Sequence, residues 1–248
     1  MKGKKKCFLI IILVAIIFSS IFHALNRRTV LSIKVGDSLE DVELIDINGQ
    51  KTSINDIQNK KVIVFYLARG CHPCIQEYPS IILLCEALEN TDWNPIIVWR
   101  KSIPTELVEE KDKRFHFSLV SAEFSDYSPC FYFIEDNSVT FQTQSLEKVI
   151  KKALMETSQD EVRKNVLLHY VNERKVKDTL FWFLFLSDNY EMSSSKIPED
   201  GETIYFSDIA MSNSIYDPER VISQIFSITQ YPTILKCNTE TLEYEISE

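Results

Sequence analysis

The stretch Lys60-Lys61-Val62-Ile63-Val64-Phe65-Tyr66-Leu67-Ala68-Arg69-Gly70-Cys71-His72-Pro73-Cys74 decides how this chain folds. After two lysines, the continuous apolar and β-branched run 62–67 predicts a strand buried on both faces. Ala68-Arg69-Gly70 reads as a turn. From Cys71 the pattern changes: Ile81, Leu84, Cys85 and Leu88 recur at helical spacing, so 71–88 predicts a helix. This order sets a thiol at a helix N-terminus, where unpaired amide N–H groups and the positive end of the dipole stabilise a thiolate. The first cysteine is the exposed one and the second lies a turn further in. Cys71 is therefore the expected attacking nucleophile, and Cys74 the thiol that resolves a mixed disulfide. His72 and Pro73 occupy the tuning positions between them. A protonated His72 favours the Cys71 thiolate; the bland alternative is an exposed polar residue at a helix start.

The other cysteines narrow the chemistry. There are six, Cys7, Cys71, Cys74, Cys85, Cys130 and Cys237, and only Cys71 and Cys74 are close in sequence. A zinc site needs four ligands, and no second pair exists; His23, His116 and His169 are scattered. No metal is expected. A structural disulfide is the bland reading in an oxidising compartment, but a two-residue spacer closes a small ring with little entropic benefit. A reactive dithiol fits better. The five glycines form neither a dinucleotide fingerprint nor a phosphate loop, so no nucleotide or other cofactor is expected.

Charge adds a topology. Lys plus Arg number 27 and Asp plus Glu 36, a net of −9, which argues against nucleic-acid binding. The first 28 residues hold six basic residues and no acid, on either side of the uncharged run Cys7–Leu25. A basic start followed by about 20 apolar residues predicts a signal anchor that crosses the membrane once. A cleaved signal peptide is the alternative. Four lysines before the run and two arginines after it leave the N-terminus in the cytoplasm. Residues 29–248, net −15, are then extracytoplasmic, in the periplasm or at the cell surface.

Further strands are predicted at Asn94–Trp99, Phe115–Val120, Ser128–Asn137 and Val139–Thr143, a short helix at Thr105–Asp112, and a capped amphipathic helix at Ser145–Leu154. With the hairpin-like segment Val35–Lys51 ahead of them, these elements resemble the TlpA-like branch of the thioredoxin superfamily over about residues 34–157. The resemblance implies an α/β thioredoxin-like fold, a central mixed sheet flanked by helices. It implies that Ser128-Pro129 is a cis-proline edge on which an extended substrate docks, and that Glu77 is an acid near Cys74. A buried Glu77, three residues beyond Cys74 on one helical face, could exchange a proton with that thiol; the alternative is an exposed helix glutamate. One departure stands out: the branch usually has Trp before the first cysteine, and here Gly70 follows Arg69. Cys130, beside Pro129, is expected to be a core cysteine, with a third redox thiol as the alternative.

Residues 159–248 exceed what one such domain needs. A helix at Asp160–Arg174, an apolar strand at Leu180–Leu186, a strand at Thr203–Ser207, a helix at Pro218–Phe226 and a hairpin opening Tyr231-Pro232-Thr233 repeat the pattern. Ser187–Met192, where a redox pair belongs, has no cysteine. A second, degenerate thioredoxin-like domain is expected, so the chain divides into an anchor (1–28), a redox domain (34–157) and this domain (159–248). The alternative is an α/β extension packed on the first domain.

The leading function is a membrane-anchored thiol–disulfide oxidoreductase. The resemblance implies that it reduces envelope or secreted proteins with electrons from a membrane donor protein. Two alternatives remain. One is a non-catalytic envelope binding or assembly factor with a structural cysteine pair. The other is a peroxiredoxin-like peroxidase, against which the sequence 66–70 counts because it lacks the Pro and Thr or Ser usual before a peroxidatic cysteine.

Overall fold

The computed structural model describes residues 29–39, 42–57, 61–119, 122–174, 179–186, 201–211 and 214–247. The expected anchor and the segment Ser187–Met192 lie outside the described residues. Among the described residues, no helix is long and apolar enough to cross a membrane.

The first half is built as β1 (Thr29–Val30), β2 (Glu43–Asp46), β3 (Lys51–Ser53), α1 (Ile54–Ile57), β4 (Lys61–Leu67), α2 (His72–Ala87), β5 (Trp93–Trp99), a 3-10 helix (Glu110–Phe115), β6 (His116–Leu119), β7 (Ala122–Glu123), β8 (Cys130–Glu135), β9 (Ser138–Thr143) and α3 (Leu146–Met155). Seven strands form one sheet in the order β3-β2-β6-β5-β4-β8-β9. The centre is parallel, β4 with β5 and β5 with β6; β8 runs antiparallel to β4, and β9 to β8. This is the mixed sheet that the resemblance implies. The second half runs α4 (Gln159–Arg174), β10 (Leu180–Leu186), β11 (Glu202–Ser207), β12 (Ser214–Tyr216), α5 (Val221–Ile225), β13 (Thr233–Asn238) and β14 (Tyr244–Ser247). Its sheet has the order β12-β11-β10-β13-β14. Pair by pair, the strand directions match those of β6-β5-β4-β8-β9. Both Pro129 and Pro232 follow a cis peptide bond and lead into the corresponding strands β8 and β13.

The apolar run in β4 is explained by two covered faces. Side chains alternate along a strand, so Ile63, Phe65 and Leu67 face α2, while Val62, Val64 and Tyr66 face a second cluster with Ile33, Leu44 and Ile54 from the N-terminal hairpin region. On β10 the aromatic side chains Phe181, Phe183 and Phe185 join the same buried cluster as Phe65 and α2. The helices α2 to α5 supply the residues between the two sheets, so one continuous core runs from β4 through α2 and α4 to β10. Lys111 on the 3-10 helix adds a polar link, paired with Glu86 of α2 at 3.3 Å and Glu173 of α4 at 2.7 Å.

Two predicted helices shift. The helix expected at Thr105–Asp112 is instead a turn closed by Leu107 N–H on Pro104 O (2.9 Å), followed by the 3-10 helix from Glu110, because Glu109 is extended (φ −74, ψ 157). The helix expected from Pro218 begins at Val221. Arg220 is left-handed (φ 54), and the Asp217 carboxylate takes the first amides, Val221 N–H at 2.8 Å and Ile222 N–H at 2.9 Å.

Candidate active site

The site forms where β4 ends. Arg100 N–H bonds to Leu67 O (2.8 Å) and ties the C-terminal ends of β4 and β5 together, and Cys71 N–H on Ala68 O (3.0 Å) closes the intervening turn. Cys71 is the N-cap of α2, with extended backbone (φ −92, ψ 112). Its sulfur accepts from Cys74 N–H at 3.3 Å, the role an oxygen usually plays at a helix start. Pro73, in the first turn, forfeits no hydrogen bond because amides there have no helical partner. Further along α2, Pro79 lacks the N–H that would bond to Ile75 O.

Cys71 and Cys74 form a disulfide, with Cα atoms 5.2 Å apart. Cys71 is half-buried, His72 and Pro73 are exposed, and Cys74 is fully buried. Cys71 Sγ lies 3.2 Å from Ser128 O, so the cis-proline edge sits against the accessible sulfur. Cys71, Cys74, Ser128 and Pro129 are therefore brought together. A pocket of about 450 Å³ opens beside the accessible sulfur, lined among others by Arg69, Arg100, Lys101 and Ser128.

Glu77 is half-buried, and its Oε2 atom is buried without a hydrogen-bond partner among the described residues. Burial pushes its carboxyl up to about 7, helped by the charge of Glu219. Glu219 belongs to the second half, and its backbone N–H bonds to Ser80 Oγ at 3.1 Å. Ser80 Oγ also donates to Asp217 Oδ1 at 3.2 Å, with both side chains buried. The second half thus covers the face of α2 that carries Glu77.

A pH dependence follows. Glu77 binds its proton more tightly in the folded chain than at its ordinary value of 4.5, so stability falls as pH rises from 4.5 through about 7 and levels off above that. Glu77→Gln removes this loss. In urea unfolding of the oxidised protein, the variant should gain on the parent between about pH 5 and pH 8. An equal difference at both pH values means that burial does not hold the proton on Glu77.

The remaining described cysteines stand apart. Cys130 lies on the face of β8 turned away from α2, in the cluster with Tyr66 and Tyr132, and Gln142 Nε2 approaches its sulfur at 3.4 Å. Cys85 and Cys237 are buried, and burial pushes both thiols up, Cys237 to about 12. Such thiols are poor nucleophiles. His116 is buried and lowered to about 4, hence neutral. It accepts from Trp99 Nε1 at 3.0 Å, so its Nε2 carries the proton toward the Tyr78 hydroxyl at 3.2 Å, and Tyr78 donates to Leu107 O. This chain braces α2 one turn past Cys74. Among the described residues, no group of three His, Cys, Asp or Glu could hold a metal ion.

Sequence reasoning missed Arg100, Lys101, Ser80, Asp217 and Glu219. The first two had a usable signal, since ligands of open α/β sheets bind beyond the C-terminal ends of parallel strands, and both residues directly follow β5. Ser80 and Asp217 had none, being 137 residues apart.

Residues 35–127 match the AhpC/TSA family model. A stretch of 73 residues is 32% identical to thioredoxin-like protein YneN of Bacillus subtilis (strain 168), covering 29% of this chain and 42% of that protein. The chain therefore spans less than half the length of this relative. Among solved structures, a thiol:disulfide interchange protein from Bacteroides sp. matches 51% of this chain and 91% of its own, with 16% identity and a TM-score of 0.42. The thioredoxin domain of a thiol-disulfide oxidoreductase from Bacteroides vulgatus matches 49% of this chain and 99% of its own, with 17% identity and a TM-score of 0.40. The part of the chain that matches this family, residues 35–127, spans the strand β4, the turn and the cysteine-bearing helix α2.

Proposed function

We propose that this chain is a membrane-anchored, extracytoplasmic thiol–disulfide oxidoreductase that works through Cys71 and Cys74. The observation that carries the reading is the asymmetry of the pair. Cys71 Sγ is accessible at a helix N-terminus and touches the Ser128 carbonyl, while Cys74 is fully buried behind it. In the reducing direction the Cys71 thiolate attacks a client disulfide, an S–S bond forms to the client, and one client thiolate leaves. Glu77 takes the proton of Cys74, whose thiolate then attacks Cys71 Sγ and expels the second client thiolate. Two electrons pass to the client, and the Cys71–Cys74 disulfide forms. A membrane dithiol donor returns the pair to the reduced state. Ser128 and Pro129 are the docking edge; His72 and Pro73 set the potential between the sulfurs.

The reducing direction follows from the TlpA-like resemblance, and the reduction potential tests it. A value near about −270 mV supports a reductase, and one near about −120 mV an oxidant. The anchor is tested by fractionation: the full chain should sediment with membranes, and a chain lacking residues 1–28 should not. Residues 159–248 fit a degenerate thioredoxin-like unit, because their sheet repeats the strand order and directions of the first.

The deciding experiment is trapping. Cys74→Ala leaves Cys71 able to attack but removes the resolving thiol. The variant should accumulate mixed disulfides with envelope proteins that vanish on adding dithiothreitol, and Cys71→Ser should form none. Absence of adducts from Cys74→Ala, with full parental phenotype in Cys71→Ser, favours a binding factor. Peroxide consumption that needs Cys71 but not Cys74 favours a peroxidase.

A further inference from the structure

The rim of the redox pair differs in charge from the rest of the molecule. The chain has 36 acidic and 27 basic residues. Yet the pocket beside Cys71 is lined by Ala68, Arg69, Gly70, Cys71, Arg100, Lys101, Ser102 and Ser128, with three cations and no carboxylate among the described residues.

The three cations are held differently. Arg100 is fixed: Nε donates to Glu123 Oε2 at 2.7 Å and Nη1 to Asp126 O at 3.4 Å, across to the segment that leads into Ser128. Its charge is answered by Glu123, a buried carboxylate behind the pocket. Arg69 pairs with Glu106, but both side chains are more than half exposed, at 62% and 51%. Such a pair is weak in water and exchanges readily for another carboxylate. Lys101 is exposed and has no carboxylate partner among the described residues. Arg69 and Lys101 thus present exposed positive charge in the lining they share with Cys71, while Arg100 is held by Glu123.

We propose that the pocket selects client disulfides whose half-cystine is flanked by acidic residues. This rests on the exchange reading above and adds the substrate class. The client chain lies across Ser128, its sulfur meets Cys71, and a neighbouring Asp or Glu enters between Arg69 and Lys101. The chain as a whole carries a net charge of −9, so an acidic segment is drawn to this rim rather than to the protein at large, and the rim also sets the register. A charge-lined cleft raises local substrate concentration and association rate, an effect that falls with salt.

The test uses the full chain in detergent, reduced, and three peptide disulfides that differ only in flanking Glu, Gln or Lys. Oxidation of the Cys71–Cys74 pair is followed by stopped flow. At low ionic strength the Glu peptide should react about tenfold faster than the Lys peptide, and the ratio should shrink toward one at high salt. Because flanking charge also changes the peptide's own thiols, the decisive quantity is the change in this ratio between proteins. Arg69→Glu with Lys101→Glu should invert it. A Glu-to-Lys ratio that is the same in the parent and the double variant overturns the proposal while leaving the exchange reading intact. If no peptide, the Gln form included, oxidises the pair, the exchange reading itself fails and takes this inference with it.

Discussion

Cys71→Ser abolishes disulfide exchange while leaving the fold standing. Serine keeps the N-cap, because its hydroxyl accepts the Cys74 N–H that the sulfur now accepts at 3.3 Å, and serine is among the best capping residues. The disulfide that is lost closes a ring of four residues, which in the chain-entropy account stabilises by only about 2 kcal/mol. Catalysis fares worse. An alcohol is not ionised near neutral pH and does not attack a disulfide, so the rate should fall on the order of a thousandfold or more, the scale on which loss of a nucleophile acts. The measurement is dithiol-driven reduction of a protein disulfide, paired with urea unfolding of both proteins. A variant that keeps a tenth of the parental rate would mean that the exposed sulfur is not the nucleophile. A variant that fails to fold would mean that the cap geometry is misassigned.

The parts of this site that are local in sequence are legible in the order of residues alone. The run 62–67, the turn 68–70 and the helix from 71 are set by adjacent residues, and the strand β4 and helix α2 fall within a residue or two of where periodicity puts them. The same holds for the cap at Ser145, which accepts from Lys148 N–H. Elements governed by a single backbone angle or a distant partner are not legible in this way. The segment 105–115 has no apolar period to decide between a turn and a helix, and the start of α5 depends on the left-handed Arg220. Glu77 is legible as a neighbour of Cys74 on one helical face. Its raised proton affinity is not, because that comes from burial and from Glu219, 142 positions away. The cations at 69, 100 and 101 each look in sequence like ordinary solvated charges; only the parallel pairing of β4 with β5 gathers them around one sulfur.

The second sheet matters to the redox pair through packing, and Phe183→Ala measures how much. Phe183 is fully buried, and its ring touches Phe206 at 5.0 Å, Phe181 at 5.3 Å, Tyr170 at 5.4 Å and Phe226 at 5.8 Å between centroids. Removing it takes away an aromatic ring and leaves a cavity whose walls belong to α4, α5 and two strands, so collapse is limited. The expected loss is about 3–5 kcal/mol, a large share of the roughly 5–15 kcal/mol that stabilises most proteins. The loss should reach the redox half. Phe183, Phe65 and Cys74 lie in one buried cluster, and the bond from Ser80 to Asp217 fastens α2 to the turn before α5. A single unfolding transition, shifted for every probe, is therefore expected. In reduced protein the probes are tryptophan fluorescence, with Trp93 and Trp99 in the first sheet and Trp182 in the second, and labelling of buried Cys74. Two transitions, of which only the one that exposes Trp182 moves, would instead mean that 159–248 folds as a separate domain. In that case the covering of Glu77 by the loop 217–220 is a docked contact, and the proton affinity of Glu77 should fall toward its ordinary value of 4.5 once that half unfolds.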